Sequence, residues 1–128
     1  MIRNLTCMIT FQPNQIIYLE KGTSRLYAEA IQVVPDRQLC WARPLMLIEI
    51  PAAEGSFAWD SLDQIDPEAV CPLVDGPDIL WPLEQFRAAL DMEVLPLLAL
   101  IQQDKLKDCD RSQTHRRLHQ FIRQFWQT

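Results

Sequence analysis

The sequence predicts an α+β fold, in which a small bent antiparallel sheet or an SH3-like barrel is followed by two or three C-terminal helices. Two observations carry this prediction. Runs of strand-forming residues separated by turn residues fill the first part of the chain, and helical periodicity dominates the remainder. A chain of 128 residues has the size of one domain. We therefore expect a single domain over residues 1–128, mainly β over 1–80 and helical over 81–128.

Two strand-like runs flank the turn sequence Val34-Pro35-Asp36-Arg37. Proline followed by aspartate is typical of a tight turn, so residues 24–34 and 38–50 are expected to form an antiparallel hairpin. Alternation along the first strand predicts two opposite faces, formed by Leu26, Ala28 and Ala30 and by Tyr27, Glu29, Ile31 and Val33. Pro44 has no backbone N–H donor, which predicts a bulge, a bend or an edge position in the second strand.

Shorter elements are expected around this hairpin. Residues 15–20 are rich in strand formers and precede a turn at 21–24. Residues 51–79 combine proline and acidic residues with short apolar pieces, and we expect one or two short strands there because a bare loop of that length is uncommon.

Three helical segments are predicted near the C-terminus. Within residues 79–90, Pro82 suits the first position of a helix. Asp91 is expected to cap a second segment, in which Pro96 implies a kink or a fresh start. Asp110 is expected to cap the last helix. The apolar stripe of that helix repeats at helical spacing and comprises Leu118, Phe121, Ile122, Phe125 and Trp126.

Charge is distributed unevenly along the chain, although the formal net charge is only −5. Residues 45–104 carry one basic and 12 acidic side chains, a net of −11, whereas residues 105–128 carry six basic and two acidic ones, a net of +4. Opposite charges can attract within one fold, or they can orient a partner. The acidic balance disfavours general affinity for nucleic acid or an anionic membrane.

Two stretches, RLYAEAIQVVPDRQLCWARPLMLIEIP and DILWPLEQFRAALDMEVLPLLALI, resemble a group of small soluble cyanobacterial proteins of unassigned biochemistry. The resemblance covers about residues 25–101. It implies a cyanobacterial cytoplasm and the role of an assembly, stability or regulatory factor for a larger complex. It supplies no reaction and no active-site residues.

The sequence gives little support for a catalytic or metal-binding motif. The chain contains no G-x-S-x-G, P-loop or H-E-x-x-H pattern, and its four cysteines show no C-x-x-C spacing. The spacing of His115 and His119 would place two imidazoles on one helix face, so they are the metal candidates, but Arg116 and Arg117 beside them oppose a cation. We expect no enzyme, no metal and no cofactor, and we expect the cysteines to be buried.

Surface residues are therefore the candidate functional residues. Four tryptophans in a small domain suggest three in the core and one exposed, for which Trp126 is the choice. We expect partner binding by seven residues of the acidic segment and the basic tail: Asp60, Asp63, Asp66, Arg116, Arg117, Arg123 and Trp126.

The function predicted from the sequence is that of a non-enzymatic accessory factor that binds another protein in the cytoplasm. A homodimer through the C-terminal helix is a further expectation. Two alternatives remain open. One is a small barrel that binds single-stranded nucleic acid through the basic tail and the aromatic residues of the last helix, and the other is a domain that binds a small molecule or haem. The chain contains no stretch of about 20 apolar residues, which is the length that a membrane span requires.

Overall fold

The structure is a computed structural model that describes residues 10–50, 59, 65, 69–73, 76–102 and 111–126. Within these residues, six strands and two α-helices follow one another along the chain. The strands are β1 (Ile16–Lys21), β2 (Ser24–Val34), β3 (Leu39–Glu49), β4 (Val70–Pro72), β5 (Ile79–Pro82) and β6 (Arg87–Ala88). The helices are α1 (Asp91–Ile101) and α2 (Arg111–Trp126). The predicted α+β class is confirmed.

The six strands form one antiparallel sheet that is not closed into a barrel. The strand order is β4-β3-β2-β1-β6, and β5 pairs with a second part of β3. The predicted hairpin is confirmed, because β2 and β3 pair along their length and a 3₁₀ turn over Pro35–Arg37 joins them. The short strand β4 lies in the region where the sequence predicts additional short strands. Of the two sheet forms predicted, the structure has the open one.

Two bulges bend the central hairpin. The first follows the prediction from Pro44, since the register shifts between the pairs Tyr27–Met46 and Ala28–Pro44. Pro44 also marks the place where the outer neighbour of β3 changes, because β5 pairs with residues 39–42 and β4 with residues 46–48. A residue without an N–H donor is best accommodated where the ladder is already interrupted.

The second bulge corrects one prediction. Strict alternation places Val33 on the same face as Tyr27, but Val33 packs with Leu26 on the opposite face. The register shifts between Ala30 and Gln32, so one extra residue is inserted there. Because side chains alternate with a period of two, one inserted residue moves the following side chains to the other face.

Both faces of the sheet are covered, each by a different helix. On one face, Ile17 and Leu19 belong to the same buried cluster as Leu118 and Phe121 of α2. On the other face, Tyr27, Met46 and Ile48 are buried together with Leu97 of α1. Trp59 and Ile65 also contribute to this second cluster. The sheet is therefore the middle of three layers, which explains why its central strands are apolar on both sides.

The prediction of a helix that begins at Pro82 is wrong. Residues Ile79–Pro82 form β5, Leu83–Gln85 form a single 3₁₀ turn, and Arg87–Ala88 form β6. Pairing of Cys40 with Trp81 and of Leu39 with Pro82 holds this segment extended. Long-range strand pairing thus overrides the local helix signal of Pro82. The strands reach Ala88, and the helical part begins at Asp91.

The other two predicted helices are present, but the fresh start suggested by Pro96 is not. Helix α1 begins at Asp91 and continues through Pro96 without restarting. Helix α2 buries Leu118 and Phe121, with Ile122 and Phe125 packed beside them. Asp110, the predicted cap of α2, lies outside the described residues. Within the described part of the chain, neither helix has both the length and the apolar character that crossing a membrane requires.

The β1–β2 hairpin depends on Gly22, which has a φ of +61°. We expect Gly22→Ala to destabilise the protein by about 1 kcal/mol, because a Cβ disfavours the left-handed region, although no atom lies within 4 Å of the Cβ position. Gly22→Asn is the matched control and should cost less, since asparagine tolerates this conformation. Urea unfolding measures both values, and an equal cost for the two variants would contradict the conformational explanation.

Candidate functional site

A buried arginine joins the sheet to helix α1. The side chain of Arg25 on β2 is only 11% exposed, and that of Glu93 on α1 is 6% exposed. The Nη1 group of Arg25 donates a hydrogen bond to Oε1 of Glu93. The same carboxylate oxygen accepts a hydrogen bond of 2.6 Å from the hydroxyl of Tyr27. A buried charge needs such partners because leaving it unpaired is costly.

Aromatic rings enclose the same guanidinium group. The Cζ atom of Arg25 lies 4.0 Å from the ring centroid of Tyr18 and 4.3 Å from that of Trp59. The Nε group donates a hydrogen bond of 2.7 Å to Glu20, a more exposed residue of β1. Cation–π contacts and planar hydrogen bonds both suit a guanidinium better than an ammonium group. Arg25 is therefore fixed in position by groups from several parts of the chain.

This network shifts the titration of two of its members. Burial raises the pKa of Tyr27, and the hydrogen bond to Glu93 raises it further, while Arg25 opposes the shift. Burial alone lowers the pKa of Arg25, but its hydrogen bonds with Glu20 and Tyr27 outweigh that effect, so its pKa is raised. The arginine is therefore charged, and the tyrosine is neutral, at every physiological pH.

Glu93 also sets the start of α1. Its second carboxylate oxygen, Oε2, accepts a hydrogen bond of 2.9 Å from the backbone N–H of Leu90. A glutamate three residues into a helix commonly reaches back in this way and satisfies a free N–H group. Glu93, and not the predicted Asp91, thus acts as the capping side chain. One residue determines both where α1 begins and which side of it faces the sheet.

With Glu93 and Leu97 directed inward, the opposite side of α1 is exposed. We call this side the outer face of α1; it consists of Asp91, Met92, Leu95, Leu98 and Ala99. Met92 is 62% exposed, Leu95 71% and Leu98 42%. Large apolar side chains grouped on one exposed helix face are typical of an interaction surface. Leu90, just before the helix, adds a further exposed apolar side chain.

A second exposed surface lies on the sheet. Trp41 is 40% exposed, and its indole Nε1 donates a hydrogen bond of 2.9 Å to Asp78. The same carboxylate accepts a hydrogen bond of 3.2 Å from Arg43. Leu80 on β5 pairs with Trp41 and is 57% exposed. This surface carries more charge than the outer face of α1, since it includes both Arg43 and Asp78.

The structure describes only part of the set of partner-binding residues predicted from the sequence, so their grouping into one site stays a prediction. Arg116 and Arg123 are exposed on α2, and Arg117 forms an ion pair of 3.2 Å with Glu49. Asp60, Asp63 and Asp66 lie outside the described residues, as does the side chain of Trp126. Among the tryptophan side chains that the structure describes, Trp41 is the most exposed, at 40%, and the exposure of Trp126 stays a prediction.

The predicted metal and nucleic-acid features can be placed only in part. His115 and His119 are both exposed on α2. Among the described residues, no group of three His, Cys, Asp or Glu side chains could hold a metal ion. Two aromatic residues of α2 face inward, since Phe121 is buried and the ring of Phe125 packs edge-on against that of Trp81, with ring centroids 5.8 Å apart; the side chain of Trp126 lies outside the described residues. The rings of Phe121 and Phe125 are therefore not available to stack on bases.

Cysteine chemistry is absent from the described core. Cys40 and Cys71 are buried and form no disulfide, as the sequence predicts. Burial raises the pKa of the Cys40 thiol, so it stays protonated and is a poor nucleophile. Cys7 and Cys109 lie outside the described residues.

Sequence reasoning missed the Arg25 network and the outer face of α1. A usable signal was present in the helix itself, because Met92–Ile101 contains one charged residue, Glu93, and no polar stripe. A helix that is apolar on all sides requires cover on all sides.

Comparison with known proteins gives no family or function for this chain, since no family model, curated protein or solved structure matches it.

We expect Glu93→Ala to lower the free energy of unfolding by about 3 kcal/mol, because it removes the buried carboxylate that pairs with the Arg25 guanidinium. Glu20→Ala removes the exposed partner of the same arginine and should cost less than about 1 kcal/mol. Urea unfolding of both variants tests this difference. Equal losses would show that Glu93 has no special role in holding α1.

Tyr27 should make stability depend on pH at alkaline values. The native state retains the hydroxyl proton above the ordinary pKa of 10.0, whereas the unfolded state releases it. The stabilisation is complete below pH 10 and is lost as pH rises further. Wild type should lose about 1.4 kcal/mol per pH unit more than Tyr27→Phe in this range. Parallel stability curves for the two proteins would contradict the raised pKa.

Proposed function

We propose that this chain is a non-enzymatic accessory factor that binds another protein, and that the outer face of α1 is its docking surface. The main observation in support is the exposure of Met92, Leu95 and Leu98 on a helix whose orientation is fixed by Glu93. Helices that bind in grooves commonly use anchors spaced in this way along one face. A rigid helix also loses little conformational entropy on binding.

Charge supports the same proposal. From Val94 to Ile101 the helix carries no charged residue, so a partner would not have to desolvate charges over most of the contact. Arg116 and Arg123 supply exposed positive charge on α2, beside Arg117 in its ion pair with Glu49, and this charge would affect the orientation and rate of encounter more than the affinity. The cyanobacterial cytoplasm implied by the resemblance is the proposed setting.

Affinity capture from native cells, with identification by mass spectrometry, tests this proposal. Leu95→Asp places a charge at the most exposed position of the outer face and should remove the specific partner, a loss of at least about tenfold in affinity. Leu80→Asp is the matched control, because it makes the same change at an exposed leucine on another surface. Circular dichroism should show both variants folded.

The expected result is a protein captured by wild type and by Leu80→Asp but not by Leu95→Asp. Equal capture by all three would overturn the proposed docking surface, and loss with Leu80→Asp alone would assign docking to the sheet.

The double variant Arg116→Ala/Arg117→Ala tests the contribution of charge. It should weaken capture at low salt and have little effect at high salt, because screening removes interactions between exposed charges. Unchanged capture at low salt would exclude a role for these two arginines.

A further inference from the structure

We propose that α1 is a releasable strap, which detaches from the sheet and unfolds as one unit while the sheet and α2 stay folded. The latch that keeps the strap closed is the buried ion pair between Arg25 and Glu93. Proteins commonly open in such units, and the elements that open first bury few apolar side chains. Of the two described helices, α1 fits this description and α2 does not.

The two helices are attached to the sheet very differently. Among the described side chains of α1, only Glu93 and Leu97 are buried, and Leu97 alone is apolar. Helix α2 buries Leu118 and Phe121, and Phe125 packs beside them. Since the stability of a docked element grows with the apolar area that it buries, α1 loses much less than α2 on leaving the sheet.

A released α1 would not remain helical. It has 11 residues, and isolated helices shorter than about 12–15 residues are marginal in water. Pro96 lies inside this helix and has no N–H group to donate to the carbonyl of Met92. Detachment and unfolding of α1 therefore occur together, so that exchange of its backbone amides reports on both.

The sheet side of the latch keeps other partners when Glu93 leaves. Arg25 donates a hydrogen bond of 2.7 Å to Glu20, which is a residue of β1. The guanidinium group also contacts the rings of Tyr18 and Trp59. Opening of α1 therefore does not leave the arginine without a partner, which would make the open state much less accessible. The pairing of β2 with β3 also involves no residue of α1.

The strap would control the availability of the docking surface, a consequence that rests on the proposed function. The outer face of α1 exists only while α1 is helical, so release removes it. The latch thus sets the fraction of molecules that can bind a partner through this face. A bound partner should in turn suppress the opening of α1, because it binds the closed state alone.

Native-state hydrogen exchange of the full chain, followed by NMR in urea up to about 2 M, tests the strap. Leu97, Leu98 and Ala99 should share one opening, at least about tenfold more populated than the opening that exposes the amides of Leu26 and Tyr27 in β2. The population of the α1 opening should also rise less steeply with urea, since it exposes less surface.

Two results of this experiment would overturn the strap. One is a single common opening for the amides of α1 and of β2, which would show that α1 unfolds only with the sheet. The other is a different opening at each amide of α1, which would indicate fraying from the helix ends.

Variants of Glu93 test the latch. Glu93→Ala should raise the population of the α1 opening about a hundredfold, because the ion pair is lost on opening. Glu93→Gln keeps an oxygen that can accept from the N–H of Leu90 but removes the charge, and it should raise this population at least about tenfold. Glu20→Ala is the matched control at the same arginine and should change it by less than about fivefold.

The exchange of β2 distinguishes a latch from a general loss of stability. Faster exchange at β2 without faster exchange at α1 in the Glu93 variants would show that the ion pair survives the opening, which overturns the latch. Equal effects of Glu93→Ala and Glu20→Ala would also overturn it. Glu93→Gln decides the question if Glu93→Ala does not fold.

The strap and the docking surface fail separately, because hydrogen exchange is measured without a partner. If α1 opens only with the sheet but Leu95→Asp loses its partner from native cells, the strap is wrong and the docking surface stands. If α1 opens by itself but capture does not depend on Leu95, the strap stands and the docking surface is wrong.

Discussion

The hydrogen-bonded ion pair between Arg25 and Glu93 is the constraint on which the arrangement of α1 depends. Helix α1 is apolar on nearly every side, so hydrophobic burial alone would favour several rotations of the helix about its own axis. A buried carboxylate removes this freedom, because only one rotation brings it to the guanidinium of Arg25. A buried ion pair often adds little net stability compared with an apolar pair. Its main contribution here is to select one orientation.

Selection of one orientation explains why apolar side chains remain exposed. The rotation that pairs Glu93 with Arg25 also buries Leu97, which turns Leu95 outward. The sheet covers only one side of α1. The other face of the sheet is already occupied by α2. The molecule therefore retains exposed apolar surface as a direct result of satisfying a buried charge. The ion pair that fixes the orientation of α1 thus also leaves exposed a surface that is suited to binding.

Local signals in the sequence were sufficient for the hairpin, the bulge at Pro44 and the apolar stripe of α2. Each depends on residues close in sequence, such as a turn dipeptide, a missing N–H group or helical spacing. The segment around Trp81 was mispredicted because its strand pairing involves Cys40, about 40 residues earlier. The Arg25–Glu93 pair was not predicted for the same reason, since the two residues are 68 positions apart. Side chains that meet only after folding leave no periodic signal.

The division of the outer side of β3 between β4 and β5 has a consequence for the behaviour of the protein at high concentration. An uninterrupted strand of 11 residues at the margin of a sheet would offer a long row of unpaired amide groups to other molecules, which favours aggregation. Within the part of the chain that the structure describes, that margin is formed by β4, with three residues, and by β5, with four, and both contain a proline. At the opposite margin, β6 has two residues. Short margins of this kind disfavour the addition of further strands, so this sheet is a poor template for fibril growth.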